Sequence, residues 1–495
     1  MNKTRRNFIG GRWKASSSRG TYISRNPADT SDILGRFPES SPSDIDLAVR
    51  AARGALPDWK LVPPPAKGLL LMRAAALLER EKESLARLMT REMGKVLKEA
   101  RGDVQEAIDM AHYTAGEGRR LFGKTSTSEL RHKFVMSVRR AVGVCGLITP
   151  WNFPVAIPSW KSFPALLCGN TVILKPSEDS PACAQRFVEI LEEAGFPAGT
   201  VNLVFGGAQT GAALVRHPDI DLISFTGSSE AGRDAAAHCG AALKRCSLEM
   251  GGKNAQIVMD DADFELALEG ALWGAFGTTG QRCTATSRLL VHQKIHDRFL
   301  QELVRRARRL KVAPGLRAGA EMGPLVNAQQ LERVTRYVQI GRSEGARLVC
   351  GGRRPSASAL RKGFFFEPTV FSDVHPSMRI MQEEIFGPVV CVMKVRSFEH
   401  AVTVLNGTRY GLSSSIYTRD VNRAMEAVRD LEAGITYVNG PTIGAEVHMP
   451  FGGIKQTGNG HREAGEAGLD IFSEWKSVYI DFSGRLQKAQ IDTGS

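Results

Sequence analysis

Cys283 stands in GTTGQRCTATSR (277–288), with an arginine before it, small hydroxyl residues after it and glycine close by. Two readings are open for such a residue: a small buried hydrophobe, or a nucleophile held where a substrate can reach it. Glu249 lies beside two glycines in LEMGGKN (248–254), and TPWNFP (149–154) sets Trp151 and Asn152 between prolines, which suits a fixed loop better than a helix. In LKPSE (174–178) an apolar run ends in Lys175 and Glu178, a pair able to grip the hydroxyls of a sugar. EEIFGPVV (383–390) offers Glu384 and Phe386 ahead of a proline. The dinucleotide fingerprint GxGxxG is missing. In its place, ISFTGSSEAG (223–232) reads as a strand ending at Thr226 and Gly227 and opening a helix capped by Ser228, where a phosphate can approach free backbone N–H groups.

These residues need a scaffold, and the apolar spacing supplies one. From 82 to 122 the pattern is helical: Leu85, Leu88, Met89, Met93, Val96 and Leu97 recur at steps of three and four, and Val104, Ile108 and Ala111 continue it. Between 141 and 260 short apolar runs alternate with amphipathic segments, from AVGVCGLIT through TVILKPS, VNLVFGG and DLISFTG to KRCSLEMGG and NAQIVMD. That is the rhythm of βαβ units around a doubly wound parallel sheet, with ligands expected beyond the carboxyl ends of its strands. A second α/β rhythm follows from about 262 to 450. Near the end, Val478, Ile480 and Phe482 alternate as in a strand, and another subunit's sheet edge is one partner it could find.

The composition bounds the possibilities. A chain of 495 residues, 42% hydrophobic and 24% charged, is a folded protein of several lobes. No stretch reaches the roughly 18 apolar residues of a membrane span, and no apolar core follows the basic N-terminus, which reads as a soluble cytoplasmic protein. Eight scattered cysteines without a CxxC pair signal neither disulfides nor zinc, and HQKIH (292–296) lacks the glutamate of a zincin, so no metal is expected. The net charge of +13 invites a nucleic-acid partner, but the densest cluster, RRARRLKV (305–312), reads as the solvated face of a helix.

Taken together and in order, these segments resemble the NAD(P)-dependent aldehyde dehydrogenase superfamily over nearly the whole chain. The resemblance implies an α/β fold: a Rossmann-like cofactor domain (1–122 and 141–251), an α/β catalytic domain (252–465) and a small β oligomerisation element (123–140 and 466–495). It implies homodimers or homotetramers. It makes Cys283 the nucleophile, whose thiolate converts the aldehyde into a tetrahedral hemithioacetal able to expel hydride. By the same resemblance Asn152 stabilises the oxyanion, and Glu249 is the base for hydrolysis of the thioester. Retention of Glu249 favours release of a free acid over transfer to coenzyme A. For the cofactor the resemblance places Ile148 and Trp151 along the cleft and Lys175 and Glu178 at the adenosine ribose. Gly207, Gly211, Phe225, Gly227 and Ser228 fall around adenine and pyrophosphate, and Met250, Glu384 and Phe386 at the nicotinamide half. Glu178 favours NAD, with NADP as the alternative, because a carboxylate repels a 2′-phosphate.

Arg282 departs from common fatty or aromatic aldehyde dehydrogenases. GQRCT resembles the branch that handles acid semialdehydes, including α-aminoadipic and α-ketoglutaric semialdehyde dehydrogenases, and a guanidinium there could hold a distal carboxylate. The stretch from 92 to 119 also resembles the aminoadipic enzyme and offers Glu106 as a second substrate contact, against the plainer reading of an exposed helix glutamate. PFGGIKQTGNGHREAG (450–465) keeps the family's glycine-rich loop near the substrate entrance, though its details match neither enzyme. The competing readings are a broad aliphatic or aromatic aldehyde dehydrogenase, a non-redox cysteine hydrolase or acyltransferase, and a non-catalytic binding protein.

Overall fold

The apolar runs between 141 and 250 become the five parallel strands of one sheet, in the computed structural model that describes residues 4–491. In spatial order they are Arg245–Glu249, Leu222–Thr226, Val144–Thr149, Thr171–Pro176 and Val201–Leu203. Every residue of Val144–Thr149 and Thr171–Pro176 is buried, which is why these strands read as continuous rather than alternating apolar runs. The chain builds outward from Val144–Thr149 in one direction through Val201–Leu203 and then returns to its other side at Leu222–Thr226. A crevice opens where the winding reverses, at the carboxyl ends of these two strands. Two short antiparallel strands, Asn7–Phe8 and Trp13–Lys14, extend the sheet at its far edge; they are too short to leave a periodic signal.

NAQIVMD belongs elsewhere than the first rhythm suggested. Its strand, Ala255–Val258, enters a second sheet, ordered Arg347–Cys350, Thr369–Ser372, Val389–Val395, Arg288–His292, Ala255–Val258, Ser413–Tyr417 and Ile435–Val438. All neighbours there are parallel except the first pair. The extended segment 250–254 therefore carries the chain from one sheet to the other.

The helical reading of 82 to 122 needs one correction. Lys82–Met93 stops at Gly94, in the left-handed conformation, and a second helix runs over Leu97–Glu117. The turn between them is held by an ion pair with no solvent access: Lys95 Nζ lies 2.8 Å from Asp103 Oδ2, and Asp103 Oδ1 accepts from the Ala156 N–H at 2.8 Å. Lys95 also sits 4.0 Å above the Phe153 ring, so the pair ties this turn to the TPWNFP loop. Farther along the chain, the basic cluster on His296–Ala307 is a solvated and paired face, with Arg305 bonded to Glu302 and Arg306 to Glu265.

A third sheet is formed by Lys124–Thr127, Lys133–Ala141 and Ser473–Asp481, all antiparallel. The C-terminal strand pairs along one edge with Lys133–Ala141 of its own chain, registering Ser473 with Ala141 through Asp481 with Lys133. Among the described residues no helix is long and apolar enough to cross a membrane. Residues 1–3 and 492–495 of the expected domains lie outside the described part.

Removing one member of a buried ion pair strands the other, at a typical cost of about 3–5 kcal/mol. Asp103→Asn is expected to lower unfolding stability in urea by that order, while the exposed Arg347→Gln, which breaks a surface pair with Asp373, changes it by less than about 1 kcal/mol.

Candidate active site

Residues that follow the carboxyl ends of the first sheet and residues that precede the amino ends of the second line the same two cavities. One, of about 190 Å³, is lined by Trp151, Asn152, Thr226, Gly227, Ser228, Met250, Cys283, Gln330, Arg333, Glu384 and Phe386, among others. The other, of about 120 Å³, is lined by Glu106, Phe153, Trp160, Glu249, Arg282, Cys283, Phe451 and Glu463, among others. Cys283 faces both, so whatever occupies either cavity meets its thiol.

The loop that carries Cys283 is held in an unfavourable backbone. Thr278 and Thr279 have φ of 50° and 59°, a region that side-chain-bearing residues seldom enter at a cost of about 1–3 kcal/mol each. Gly280 follows at φ 67°, where a Cβ would lie 2.2 Å from the Gly387 carbonyl. Hydrogen bonds from distant segments hold this shape. The Thr278 N–H donates to Glu99 at 2.7 Å, Gln281 Oε1 accepts from the Val326 N–H at 3.0 Å, and Asn152 Nδ2 donates to the Gln281 carbonyl at 3.2 Å. Asn254 Nδ2 donates to the carbonyls of Cys283 and Ala285 at 2.7 and 3.0 Å. Asn254 was not singled out in the sequence, although it directly follows the LEMGGK run.

Glu249 ends its strand and is almost fully buried, with neither carboxyl oxygen hydrogen-bonded. Burial first, and the nearby Glu463 second, hold its carboxyl well above the usual range, while Lys161 and Arg462 pull the other way. Lys161 Nζ pairs with Glu463 and donates to Ser224 Oγ at 2.8 Å, so a cation and a second acid stand behind Glu249; no motif marked Lys161, and Glu463 lies within the PFGGIKQTGNGHREAG stretch without being singled out there. The Cys283 thiol is pushed up to about 12 by burial, then by the Glu384 and Glu249 carboxylates. Asn152 keeps a buried, unpaired Oδ1 beside the thiol's loop.

Arg282 lies in the second cavity between the rings of Phe153 and Trp273, 5.4 and 5.1 Å from their centres. Its Nε donates to Thr278 Oγ1 at 2.8 Å and one terminal nitrogen is 3.6 Å from Glu99, leaving the rest of the guanidinium toward the cavity. Glu106 also lines this cavity and is not an exposed helix glutamate.

On the other side, Ser228 caps the helix Ser229–Ala241 by accepting from the Ala231 N–H at 3.3 Å. A Cβ at Gly227 would lie 2.7 Å from the Phe225 ring, so only glycine leaves this floor open. Phe386, at φ 62°, sets its ring edge-on to Trp151 at 5.4 Å. Gln330 donates to the carbonyls of Ile385 and Phe386, and Arg333 to those of Glu384 and Ile385, which fixes the EEIFG turn. Glu384 accepts from the Gly252 N–H at 3.0 Å. Gln330 and Arg333 come from a helix with no motif, and only the fold brings them here. Lys175, Glu178, Gly207 and Gly211 gather at the neighbouring strand ends, where Lys175 is 3.8 Å from Glu178 and a Cβ on Gly207 or Gly211 would touch Glu178 or Lys175. Glu39 joins them, accepting from the Gly207 N–H at 2.8 Å. Ile148, at the end of its strand and 8% exposed, packs with Phe225 and Met250.

Residues 13–478 match the aldehyde dehydrogenase family. The chain is similar to the alpha-ketoglutaric semialdehyde dehydrogenase of Bacillus subtilis (strain 168), 40% identical over 96% of this chain and 97% of that one. It is also similar to the alpha-ketoglutarate semialdehyde dehydrogenase of Haloferax volcanii, 42% identical over 97% and 100% of the two chains. Among solved structures, betaine aldehyde dehydrogenase from Staphylococcus aureus in complex with NAD+ superposes with a TM-score of 0.95 at 35% identity, covering 97% of this chain and 95% of that one. With likeness of this extent in sequence and in fold, the chain belongs to the aldehyde dehydrogenase family.

Proposed function

We propose that the protein oxidises a carboxylate-bearing semialdehyde to the dicarboxylic acid with NAD as hydride acceptor. The observation that carries this reading is the position of Cys283 at the meeting of two cavities, one glycine-floored and ending at a helix N-terminus, the other holding Arg282. The first fits a dinucleotide. Uncapped N–H groups of the helix Ser229–Ala241 suit a pyrophosphate, and the carboxylates of Glu178 and Glu39 suit ribose hydroxyls. Two acids beside one buried lysine disfavour a 2′-phosphate, which supports NAD over NADP. When bound, the dinucleotide supplies a nicotinamide ring that accepts a hydride.

Within the chain, the Cys283 sulfur attacks the aldehyde carbon, its proton leaving toward the unpaired Glu249 carboxylate. Asn152 Nδ2 and the Cys283 N–H donate to the oxygen that becomes negative. Collapse of that oxyanion expels the hydride and leaves a thioester on Cys283. Once Glu249 has released that first proton to solvent, it takes a proton from the water that attacks the thioester, and the acid departs as a proton returns to the Cys283 sulfur. Arg282 receives the distal carboxylate, its flat guanidinium steadied by Phe153 and Trp273. The relatives named for α-ketoglutaric semialdehyde support an acidic substrate. We read the three sheets as a cofactor domain, a catalytic domain and an oligomerisation element of a cytoplasmic homodimer or homotetramer. The exposed Trp475, Tyr479, Ile480 and Phe482 on the small sheet and its following turn support the oligomer.

Steady-state assays of NADH formation at 340 nm test this. Asn152→Ala is expected to lower kcat about a hundred- to a thousandfold, and Cys283→Ser more. Arg282→Ala should raise KM for acidic semialdehydes at least about tenfold and leave hexanal nearly unchanged; an equal rise for both removes the carboxylate reading. The raised thiol and the raised Glu249 carboxyl both lose protons only as pH rises, and both must do so to act. Activity therefore climbs from neutral into the alkaline range. Alkylation of Cys283 by iodoacetamide, followed by mass spectrometry, should accelerate about tenfold per pH unit without a plateau below pH 10, and Glu384→Gln should speed it at any fixed pH.

A further inference from the structure

Cysteine spacing in the sequence signals no pairing, yet the fold brings two of the thiols into contact. Cys239 lies in the last turn of the helix Ser229–Ala241, and Cys246 is the second residue of the strand Arg245–Glu249. The chain reverses sharply between them: Leu243 takes φ of 53°, and the Lys244 N–H donates to the Cys239 carbonyl at 2.8 Å. This reversal lays the helix end on the strand, where both side chains pack in one apolar cluster and the two thiols are hydrogen-bonded to each other. Neither sulfur is in a disulfide; Cys239 is buried and Cys246 is partly exposed.

Contact with a second thiol changes the chemistry of the first. The hydrogen bond from Cys246, against burial and with help from Lys244, holds the Cys239 thiol below its ordinary value, and the same bond holds Cys246 well above it. Lys244 is fixed in place, its Nζ donating to the Val215 and His217 carbonyls at 2.7 and 2.8 Å. The other six cysteines, Cys283 included, are all pushed up by burial. Cys239 is therefore the thiol of this chain that ionises most readily, and moving one proton along the bond between them passes the charge to Cys246.

We propose that Cys239 and Cys246 are a modification site that reacts with a hydroperoxide and closes into a reversible disulfide, leaving the Cys283 sulfur free. The partly exposed Cys246 sulfur attacks one peroxide oxygen, the O–O bond breaks, and the departing oxygen leaves as water or alcohol with the first thiol proton. The Cys239 sulfur then attacks the resulting sulfenic acid on Cys246; the S–O bond breaks, and the oxygen leaves as water with the second thiol proton. Two thiols have lost two electrons, and the peroxide has gained them. The bridge joins the helix whose amino end faces the first cavity to the strand that ends in Glu249, so an oxidant marks the cofactor-facing sheet before it reaches the catalytic sulfur. It forms whichever aldehyde the enzyme takes.

Peptide mapping of the full-length enzyme tests this. Lys244 and Arg245 lie between the two cysteines, so trypsin separates them unless a disulfide holds the fragments together. The enzyme is treated briefly with hydrogen peroxide, then alkylated with iodoacetamide in denaturant and digested. The linked fragments are expected to accumulate at least about tenfold faster than Cys283 loses its alkylatable thiol, and to separate again after dithiothreitol. Cys239→Ser and Cys246→Ser should each abolish the link. A native enzyme that loses the Cys283 thiol first, or in which Cys239 and Cys246 both stay alkylatable or oxidise without linking, overturns the proposal. So does a bridge from either one to a different cysteine. Should a variant fail to fold, the time course of the native enzyme decides.

Discussion

The structure depends on holding the backbone around Cys283 in a shape it would not adopt alone. Three consecutive residues of its loop, Thr278, Thr279 and Gly280, lie in the left-handed region, and two carry side chains that oppose it. The opposing force is a set of hydrogen bonds supplied by distant segments. Asn152 reaches from the end of a strand in the first sheet, and Asn254 from the start of a strand in the second. Glu99 reaches from the helix Leu97–Glu117, which the buried Lys95–Asp103 pair locks to the TPWNFP loop. Because these bonds are buried or partly buried, losing one costs more than making it gained. The loop's position is therefore a property of the whole assembly.

The same arrangement explains the electrostatics. Burying Cys283 among the carboxyls of Glu249 and Glu384 makes the resting thiol hard to ionise. That protects a sulfur which opens onto two cavities, and it makes reactivity conditional on what occupies them. Glu249 is likewise buried without a partner, and the Lys161–Glu463 pair stands behind it as a nearby charge of each sign. Buried polar atoms without a hydrogen-bond partner include Asn152 Oδ1, Thr226 Oγ1 and both Glu249 carboxyl oxygens, on residues that line the cavities beside Cys283.

Much of this was legible from spacing. The parallel strands between 141 and 250 announced themselves as continuous apolar runs because both faces are covered. Ser228 was legible as a helix cap, and the prolines around Trp151 and Asn152 as a fixed loop, because those signals are local. The departures have equally local causes. The helical pattern after residue 82 kept its period across Gly94, so the break there was hidden, and Asn7–Phe8 and Trp13–Lys14 are too short to show alternation. The alternating C-terminal strand was legible as a strand in need of a partner, but nothing local says that Lys133–Ala141 lies beside it.

Residue order was enough to establish the family and the chemical parts, a thiol, a buried acid, an amide and a glycine-opened helix end, since each is written in a short contiguous motif. It could not place Gln330 and Arg333 against the EEIFG turn, bring Glu39 to Gly207, or turn Glu106 from a helix surface into a cavity wall. Those contacts join segments separated by tens to hundreds of residues, and burial, which sets the protonation of Glu106, Glu249 and Cys283, is a sum over all of them. Motifs specify which groups are available; the packing of two sheets end to end decides which groups meet and what charge they carry.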